Sequence, residues 1–244
     1  MTAVNRTQPA RLDAVRDERN VGDEEPTGAP RVRRARLKPG ERRAQILQTL
    51  AAMLETPQGE KVTTATLAAR MGVSEAALYR QFASKAQMFE GLLDFIEQTL
   101  FALINQIIAR QPNGVLQARA IALMLLQFSA KNAGMTRVLT GEALAGEHER
   151  LAERVNRMID RIEATLRQCL RMGLIQAHAK DANATGANAG VDDGTVPLPE
   201  DYDPVQRASL VICYVTGCWH RYAQSGFKRK PGEHADELLR VMLQ

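Results

Sequence analysis

The chain has 244 residues, 45% of them hydrophobic and 25% charged, which is enough to bury the core of one or two domains. Three cysteines are too few for a disulfide framework, the four histidines are too scattered for a metal site, and the charged N-terminus lacks the apolar segment of a secretory signal. The longest apolar run, residues 210–219, is too short for a membrane span. We therefore expect a cytoplasmic protein without a membrane span, a metal or another cofactor.

Residues 1–38 are polar and lack apolar periodicity, which predicts a mobile N-terminal arm. The net charge of +4 is uneven, because residues 31–43 hold seven basic residues against one acidic residue. Such a run can lie along the phosphates of DNA or enter a minor groove, and a solvated linker is the alternative. The candidate phosphate contacts are Arg31, Arg33, Arg34, Arg36, Lys38, Arg42 and Arg43.

Residues 39–83 are predicted to form a three-helix DNA-binding domain that contains a helix-turn-helix. Its first helix is amphipathic, with Ile46, Leu50 and Leu54 on one face. Small and apolar residues then recur at the offsets that two helices crossing at a steep angle require. The buried positions of this pair are Leu67, Ala68 and Met71 in one helix and Leu78 and Phe82 in the other. Gly72 stands between them, where a sharp turn needs a positive φ.

The second helix of the pair is predicted to place its N-terminal residues in the major groove. Tyr79 and Arg80 could reach phosphates or base edges, although Tyr79 could instead pack beside Phe82. Glu75 would be repelled by DNA unless it accepts from a cytosine amino group or caps the helix, and we favour the cap. Lys85 begins the next helix and is well placed for a phosphate. The predicted DNA-binding residues are Thr63, Thr64, Ser74, Glu75, Ala76, Ala77, Tyr79, Arg80, Gln81 and Lys85.

Residues 84–244 are predicted to form a helical body for dimerisation and partner binding. The helix around residues 205–223 is apolar nearly all round, and the last helix is equally short of polar positions, so both must be covered on two sides. We infer a homodimer in which these two helices pair with their symmetry mates, and a buried helix in a monomer is the alternative. A homodimer carries two copies of the helix-turn-helix, which predicts a roughly palindromic operator in double-stranded DNA.

One insertion interrupts this body. Residues 177–203 are rich in Asn, Gly, Asp and Pro. They cannot bury enough apolar surface to offset the entropy lost on ordering, which predicts a disordered loop.

Catalytic motifs are missing from the sequence. It has no phosphate-binding glycine loop, no nucleophile elbow and no HExxH, so we expect the protein not to be an enzyme. Cys169, Cys213 and Cys218 lie within apolar helical patterns, and we expect them to be small core residues.

The helix-turn-helix, with one helix before it and a long one after it, resembles the TetR family of bacterial DNA-binding proteins. Four segments are similar to the nucleoid occlusion factors within that family: RRAQILQTLAAMLE, VSEAALYRQFASKAQMFEGLLDFIE, NAGMTRVLTGEAL and RIEATLRQCLR. The resemblance covers about residues 41–176 and 204–244. It implies an all-α fold, with a three-helix DNA-binding domain and a larger helical dimerisation and regulatory body.

The resemblance implies a nucleoid-associated regulator of cell division. Bound to specific chromosomal sites, such a protein engages the tubulin-like division protein FtsZ and antagonises ring assembly over the nucleoid. The alternative is a TetR-type transcriptional repressor that a small molecule releases from its operator, since fold does not decide function. Gln127 and Ser129 are the main candidates to line a ligand cavity in that case.

The resemblance places FtsZ contact on Phe95, Met124, Gln127, Lys131 and Asn132. Phe95 and Asn132 match the family, whereas Met124, Gln127 and Lys131 stand where leucine, glycine and arginine are expected. Lys131 keeps the charge of arginine but lacks its planar fork. Alternatively, Phe95 and Met124 are core residues, Lys131 is a solvated charge and Asn132 is a helix C-cap.

Overall fold

The computed structural model describes residues 40–56, 62–184 and 198–244, and all regular structure within these ranges is helical. The predicted all-α fold is therefore confirmed. The helices are α1 (Glu41–Leu54), α2 (Thr64–Met71), α3 (Glu75–Tyr79), α4 (Lys85–Arg110), α5 (Gly114–Lys131), α6 (Ala133–Leu139), α7 (Glu149–Ala184), α8 (Pro204–Gln224) and α9 (Ala235–Leu243), with a 3-10 helix (Glu142–Leu144) before α7. The predicted mobile arm lies outside the described residues.

Helices α1 to α3 bury the apolar faces that their spacing predicts. Along α1, Ile46, Leu50 and Leu54 recur every fourth residue and are buried. The predicted inward positions of α2 and α3 are also buried, from Leu67 to Phe82. Because these helices are short, their stability depends on this shared apolar contact rather than on helix propensity.

Helix α4 leaves this unit and enters the body. The hydroxyl of Ser84 caps its start by accepting from the backbone N–H of Gln87 at 3.2 Å. Among the described helices, α4 is long and apolar enough to cross a membrane, judged by length and composition alone. One apolar face packs into the protein core, and its acidic residues pair with arginines of α7.

Helices α5 and α7 approach each other closely at two glycines. A Cβ on Gly114 would lie 2.1 Å from the carbonyl oxygen of Cys169, and one on Gly173 would lie 2.8 Å from the backbone nitrogen of Val115. The amide of Gln176 spans the same crossing, because its Oε1 accepts from the N–H of Gly114 at 3.0 Å and its Nε2 donates to the carbonyl of Pro112 at 2.8 Å. The crossing is therefore fixed by backbone contacts.

Helix α7 corrects the predicted bounds of the insertion. The helix continues to Ala184, so the disordered loop predicted for residues 177–203 is wrong at its start. Four alanines among residues 177–184 favour helix, and this preference outweighs the neighbouring Asn and Asp residues. At the other end, Tyr202 is buried and the side chain of Asp203 caps α8. Residues 185–197 lie outside the described residues.

Helices α8 and α9 have apolar side chains on two faces, as predicted. One face packs into the core, where Trp219 of α8 and Leu239 of α9 are buried. On the other side, Leu210 of α8 and Leu238 and Val241 of α9 remain exposed. We refer to the exposed residues Leu210, Cys213, Leu238 and Val241 as the outer face.

The cysteines do not share one environment. Cys169 is buried, and burial raises the pKa of its thiol, as expected for a core residue. Cys213 is exposed on α8, so the prediction that it is a core residue is wrong. The apolar pattern is real, but one side of α8 belongs to the outer face.

The described helices form one compact unit. Helix α1 contacts α4 and α6 as well as α2, so the first three helices are joined to the body by more than the chain itself. The predicted domain boundary between residues 83 and 84 stays a prediction.

Candidate nucleic-acid interface

The turn between α2 and α3 has the geometry that its sequence predicts. Thr63 caps α2, because its hydroxyl accepts from the N–H of Thr66 at 3.1 Å and the Thr66 hydroxyl accepts from the N–H of Thr63 at 3.0 Å. Gly72 ends α2 with φ 62°, a left-handed conformation that glycine adopts without a steric penalty. The N–H of Val73 then donates to the carbonyl of Ala68 at 3.0 Å and closes the turn.

Helix α3, the helix predicted to enter the major groove, is shorter than predicted. It ends at Tyr79, so Arg80 is its C-cap and Gln81 follows it in a turn. The N–H of Gln81 donates to the carbonyl of Leu78 three residues back at 2.8 Å, which tightens the last turn, and the ring of Phe82 is buried in the core. Ser74 stands at the N-cap position, but its hydroxyl makes no capping bond.

A polar network joins the start of α2 to α3. The hydroxyl of Thr64 donates to the carboxylate of Glu75 at 2.7 Å and accepts a long bond from the Tyr79 hydroxyl at 3.4 Å. Glu75 thus has a partner on α2, which corrects the prediction that it acts as a helix cap. The Tyr79 hydroxyl therefore has a partner on α2, and the residue is 47% exposed.

The outward surface of α3 suits the approach of another molecule. Ala76 is exposed and Ala77 partly so, and both are small, so a groove wall could come close to the helix backbone. Ser74, Tyr79 and Arg80 surround them with exposed polar groups. A short helix with this combination can enter the major groove of duplex DNA.

The two described members of the basic run are engaged within the protein. The guanidinium of Arg43 donates to the carbonyl of Gln81 at 3.0 Å and lies 4.1 Å from the centre of the Phe82 ring. It therefore ties α1 to the end of the reading helix. Arg42 donates to the side chain of Gln45 at 3.1 Å. The other predicted phosphate contacts, from Arg31 to Lys38, lie outside the described residues.

Lys85 has a partner that its sequence position does not reveal. Its ammonium lies 2.5 Å from a carboxylate oxygen of Glu147, in the segment before α7. The Lys85 side chain is 24% exposed and that of Glu147 is 12% exposed. Glu147 lies 62 positions along the chain, so no local pattern could have pointed to it.

The sequence also did not predict a second contact between helices α1 to α3 and the helical body. The Arg137 guanidinium of α6 donates to the carbonyls of Leu54 and Thr56, just where α1 ends, at 3.2 and 3.3 Å. It also pairs with Glu142 at 2.9 Å. Nearby, a Cβ on Gly134 would lie 2.0 Å from the carbonyl oxygen of Ala51. Helix α6 is therefore bonded to α1 and packed against its backbone.

The predicted partner-binding residues lie on α4, α5 and the α5–α6 junction. Phe95 is 50% exposed, so the alternative of a core phenylalanine is wrong. Gln127 and Lys131 are also exposed, whereas Met124 packs partly against the core. Asn132 ends α5, and its amide donates to the carbonyl of Phe128 at 2.8 Å, so the alternative of a helix cap describes it correctly.

The two polar residues predicted to line a ligand cavity do not converge on one. Gln127 is exposed at the surface. Ser129 is buried, and its hydroxyl donates to the carbonyl of Leu126 in its own helix at 2.8 Å. Neither residue favours the alternative of a ligand-released repressor.

Comparisons with family models identify both parts of the molecule. Residues 58–92 match the model described as bacterial regulatory proteins, tetR family. Residues 113–184 match a model described as SlmA-like, a tetracyclin repressor-like C-terminal domain.

Comparisons with known proteins cover most of the chain. The nucleoid occlusion factor SlmA of Alteromonas mediterranea is 42% identical over 201 residues, 82% of this chain and 93% of that protein. The protein of the same name from Idiomarina loihiensis is 43% identical over 203 residues, 83% of this chain and 94% of that protein.

Solved structures show the same fold at low identity. A TetR transcription regulator from Haloarcula marismortui matches with a TM-score of 0.63 at 15% identity, over 83% of this chain and 96% of that one. The regulator FadR from Bacillus subtilis, solved with stearoyl-CoA, matches with a TM-score of 0.58 at 12% identity, over 82% of this chain and 97% of that one.

Proposed function

This chain belongs to the SlmA family of TetR-like helix-turn-helix proteins, and on that premise we propose that it is a nucleoid occlusion factor. It binds specific chromosomal sites as a homodimer, antagonises FtsZ ring assembly over the nucleoid while bound, and so regulates cell division. The observation that carries the proposal is a sequence identity above 40%, over four-fifths of the chain, to proteins named for nucleoid occlusion.

The DNA-binding part of the proposal is supported by the exposed surface of α3. Ser74, Tyr79 and Arg80 offer hydrogen-bonding groups on both sides of two alanines. The Tyr79 hydroxyl donates a long bond to Thr64, whose own hydroxyl is bonded to Glu75, and this contact favours one position of the Tyr79 ring. A preorganised side chain loses less conformational entropy on binding.

The homodimer is supported by the outer face of α8 and α9. Burying an apolar side chain such as Leu238 or Val241 contributes about 1.5–3 kcal/mol. A second copy presents the same apolar face, and a two-fold axis through it would cover both at once. The two reading heads would then meet two half-sites of a roughly palindromic operator.

The proposed FtsZ surface combines an exposed ring with an exposed charge. Phe95 on α4 offers an aromatic anchor, and Lys131 offers a cation at the end of α5. Helices α4 and α5 pack against each other. Aromatic and cationic side chains of this kind commonly dominate protein–protein binding.

The function is tested by sedimenting FtsZ polymers with the protein, in the presence and absence of genomic DNA fragments selected for binding. We expect polymer to be lost only when bound DNA is present. Tyr79→Ala supplies a DNA-binding control, because losing one base or phosphate contact should weaken operator binding by about 1–3 kcal/mol. If polymer persists at every DNA concentration while operator binding is specific, the ligand-released repressor becomes the better reading.

Lys131→Glu is expected to remove the antagonism of FtsZ and to leave operator binding intact. Reversing this exposed charge should abolish the loss of FtsZ polymer with operator DNA present while leaving operator affinity within about twofold, since exposed surface substitutions rarely disturb the fold. Sedimentation and fluorescence anisotropy on one preparation measure both. Arg171→Glu, at an exposed position of α7, is the matched control. Equal activity of the two variants would remove Lys131 from the partner surface.

The contact between Lys85 and Glu147 offers a route by which DNA could act on the body. A phosphate at the start of α4 would compete with Glu147 for the same ammonium group. Glu147 would then be a largely buried carboxylate without its counter-charge, which is unfavourable. We infer that the segment carrying Glu147 moves when Lys85 binds a DNA phosphate. DNA binding would thereby change the conformation of the body near the start of α7.

Glu147→Gln tests this route. Removing the competing charge should tighten operator binding on the order of 3–10-fold and steepen its salt dependence by about one unit. It should also reduce the DNA requirement for antagonising FtsZ. Anisotropy titrations at several salt concentrations give both binding quantities. Glu149→Gln changes an exposed carboxylate two residues away and should behave as wild type. The same salt slope in all three proteins would rule out competition at Lys85.

A further inference from the structure

A basic cavity lies between α8, the turn that follows it and α9. Its volume is about 370 Å³, within the range of small-molecule sites. Arg221 on α8 and Arg229 and Lys230 on the turn line it, and Glu233 is the carboxylate among its lining residues. Positively charged side chains from α8 and from the turn that follows it therefore line the same cavity.

These three cations lack acidic partners among the described residues. Within the part of the chain that the structure describes, no ion pair joins Arg221, Arg229 or Lys230 to a carboxylate. Elsewhere on the surface, arginines such as Arg150 and Arg154 are paired with acids of α4. Like charges that share a cavity repel each other, so an anion bound among them would be stabilised.

The neutral groups of the cavity add no negative charge. Burial raises the pKa of the Tyr214 phenol to about 12 and also raises the pKa of the Cys218 thiol. Both groups therefore stay protonated at neutral pH. Arg221 and Arg229 are close enough to Cys218 to interact with it electrostatically, so their charges lie at the cavity wall. At neutral pH, three positive charges face one negative charge.

The turn that carries Arg229 and Lys230 is held in a defined conformation. The N–H of Arg229 donates to the hydroxyl of Ser225 at 2.9 Å, and Pro231 is buried. His234 has φ 56°, a left-handed conformation that a residue with a side chain keeps only where its surroundings fix it. The backbone positions that carry Arg229 and Lys230 are therefore set by the fold of the turn.

We propose that this cavity binds a small polyanion of the phosphate ester or pyrophosphate class. Each guanidinium can bind two phosphate oxygens, and the ammonium of Lys230 supplies a third charge without directional demand. The site is separate from the α3 surface and from the α4–α5 surface, so this inference goes beyond the proposed function. Leu238, at the edge of the cavity, also belongs to the outer face, so the cavity borders the proposed dimer contact.

Thermal unfolding of the full chain with inorganic pyrophosphate tests the site. We expect Tm to rise by about 3–6 °C for each tenfold increase of pyrophosphate concentration above its Kd. Arg229→Ala and Arg221→Ala should each lose most of this rise. Lys228→Ala is the matched control, because its side chain lines a different cavity, and it should keep the full rise. Light scattering confirms that all samples have the same assembly state.

Three outcomes would overturn the proposal. One is a rise that sodium chloride at equal ionic strength reproduces. Another is an equal loss in Lys228→Ala and Arg229→Ala, which would indicate diffuse surface charge. The third is binding to vesicles of anionic phospholipid that pyrophosphate does not compete for, which would assign the cations to a lipid headgroup surface. If Arg221→Ala fails to fold, Arg229→Ala and Lys230→Ala decide the matter.

Discussion

Replacing Gly114 with alanine is expected to destabilise the protein by about 2–4 kcal/mol. The added Cβ would lie 2.1 Å from the carbonyl oxygen of Cys169 and 2.4 Å from the backbone nitrogen of Gly173. Both neighbours are backbone atoms, so no side chain can rotate away and α5 must move off α7. That shift would also stretch the bonds of Gln176 to Gly114 and Pro112.

Chemical denaturation of both proteins measures this loss. Gly232→Ala is the matched control, because nothing lies within 4 Å of its added Cβ and its φ is not in the left-handed region. That variant should be neutral or slightly more stable, since alanine restricts the unfolded chain more than glycine does. Equal midpoints for Gly114→Ala and wild type would mean that α5 and α7 do not cross as closely as described.

Val241→Glu is expected to break the dimer and with it operator binding. Val241 on α9 is 70% exposed in the single subunit, and in the proposed dimer its side chain meets the partner's apolar face. A carboxylate placed there would have to lose its water without gaining a partner. A monomer presents one reading head instead of two, so operator affinity should fall by about 10²–10⁴-fold.

Light scattering at micromolar concentration and operator titrations measure the two effects together. Ile175→Glu puts the same charge on an exposed apolar position of α7, outside the outer face, and should remain dimeric. Far-UV circular dichroism shows whether both variants keep their helices. A Val241→Glu protein that is still dimeric would place the subunit contact elsewhere.

Local patterns made the helix-turn-helix predictable. The demands of a steep helix crossing fall on consecutive residues, so Gly72, Leu78 and Phe82 could be assigned from spacing alone, and the structure has them in those roles. Helix ends were harder. Sequence patterns locate helix ends only to within a residue or two, and α3 stops at Tyr79 although Phe82 keeps the predicted buried position.

Contacts between distant parts of the chain could not be predicted. Arg137 bonds the carbonyls of Leu54 and Thr56, 83 and 81 positions away, and Glu147 pairs with Lys85 across 62 positions. Such pairs leave no periodic trace in a sequence. The segment from Asn132 to Leu144 was singled out by family resemblance alone. Its bonds to the end of α1 depend on the tertiary fold.

Exposure was only partly predictable for the apolar side chains. Phe95 and Val241 occur in helical stripes that also hold core residues, and spacing does not say which edge of a stripe faces out. Cys213 shows the same ambiguity on α8. The roles proposed for these residues in binding follow from the exposed faces seen in the fold.

The contact of α6 with α1 limits how freely evolution or protein engineering could exchange the first three helices. Gly134 leaves no room for a Cβ against the Ala51 carbonyl, and Arg137 needs free carbonyls where α1 ends. A chimera that carries a foreign DNA-binding module would therefore have to import the matching α6 as well. The unit that must be exchanged together therefore extends from the helix-turn-helix at least as far as α6.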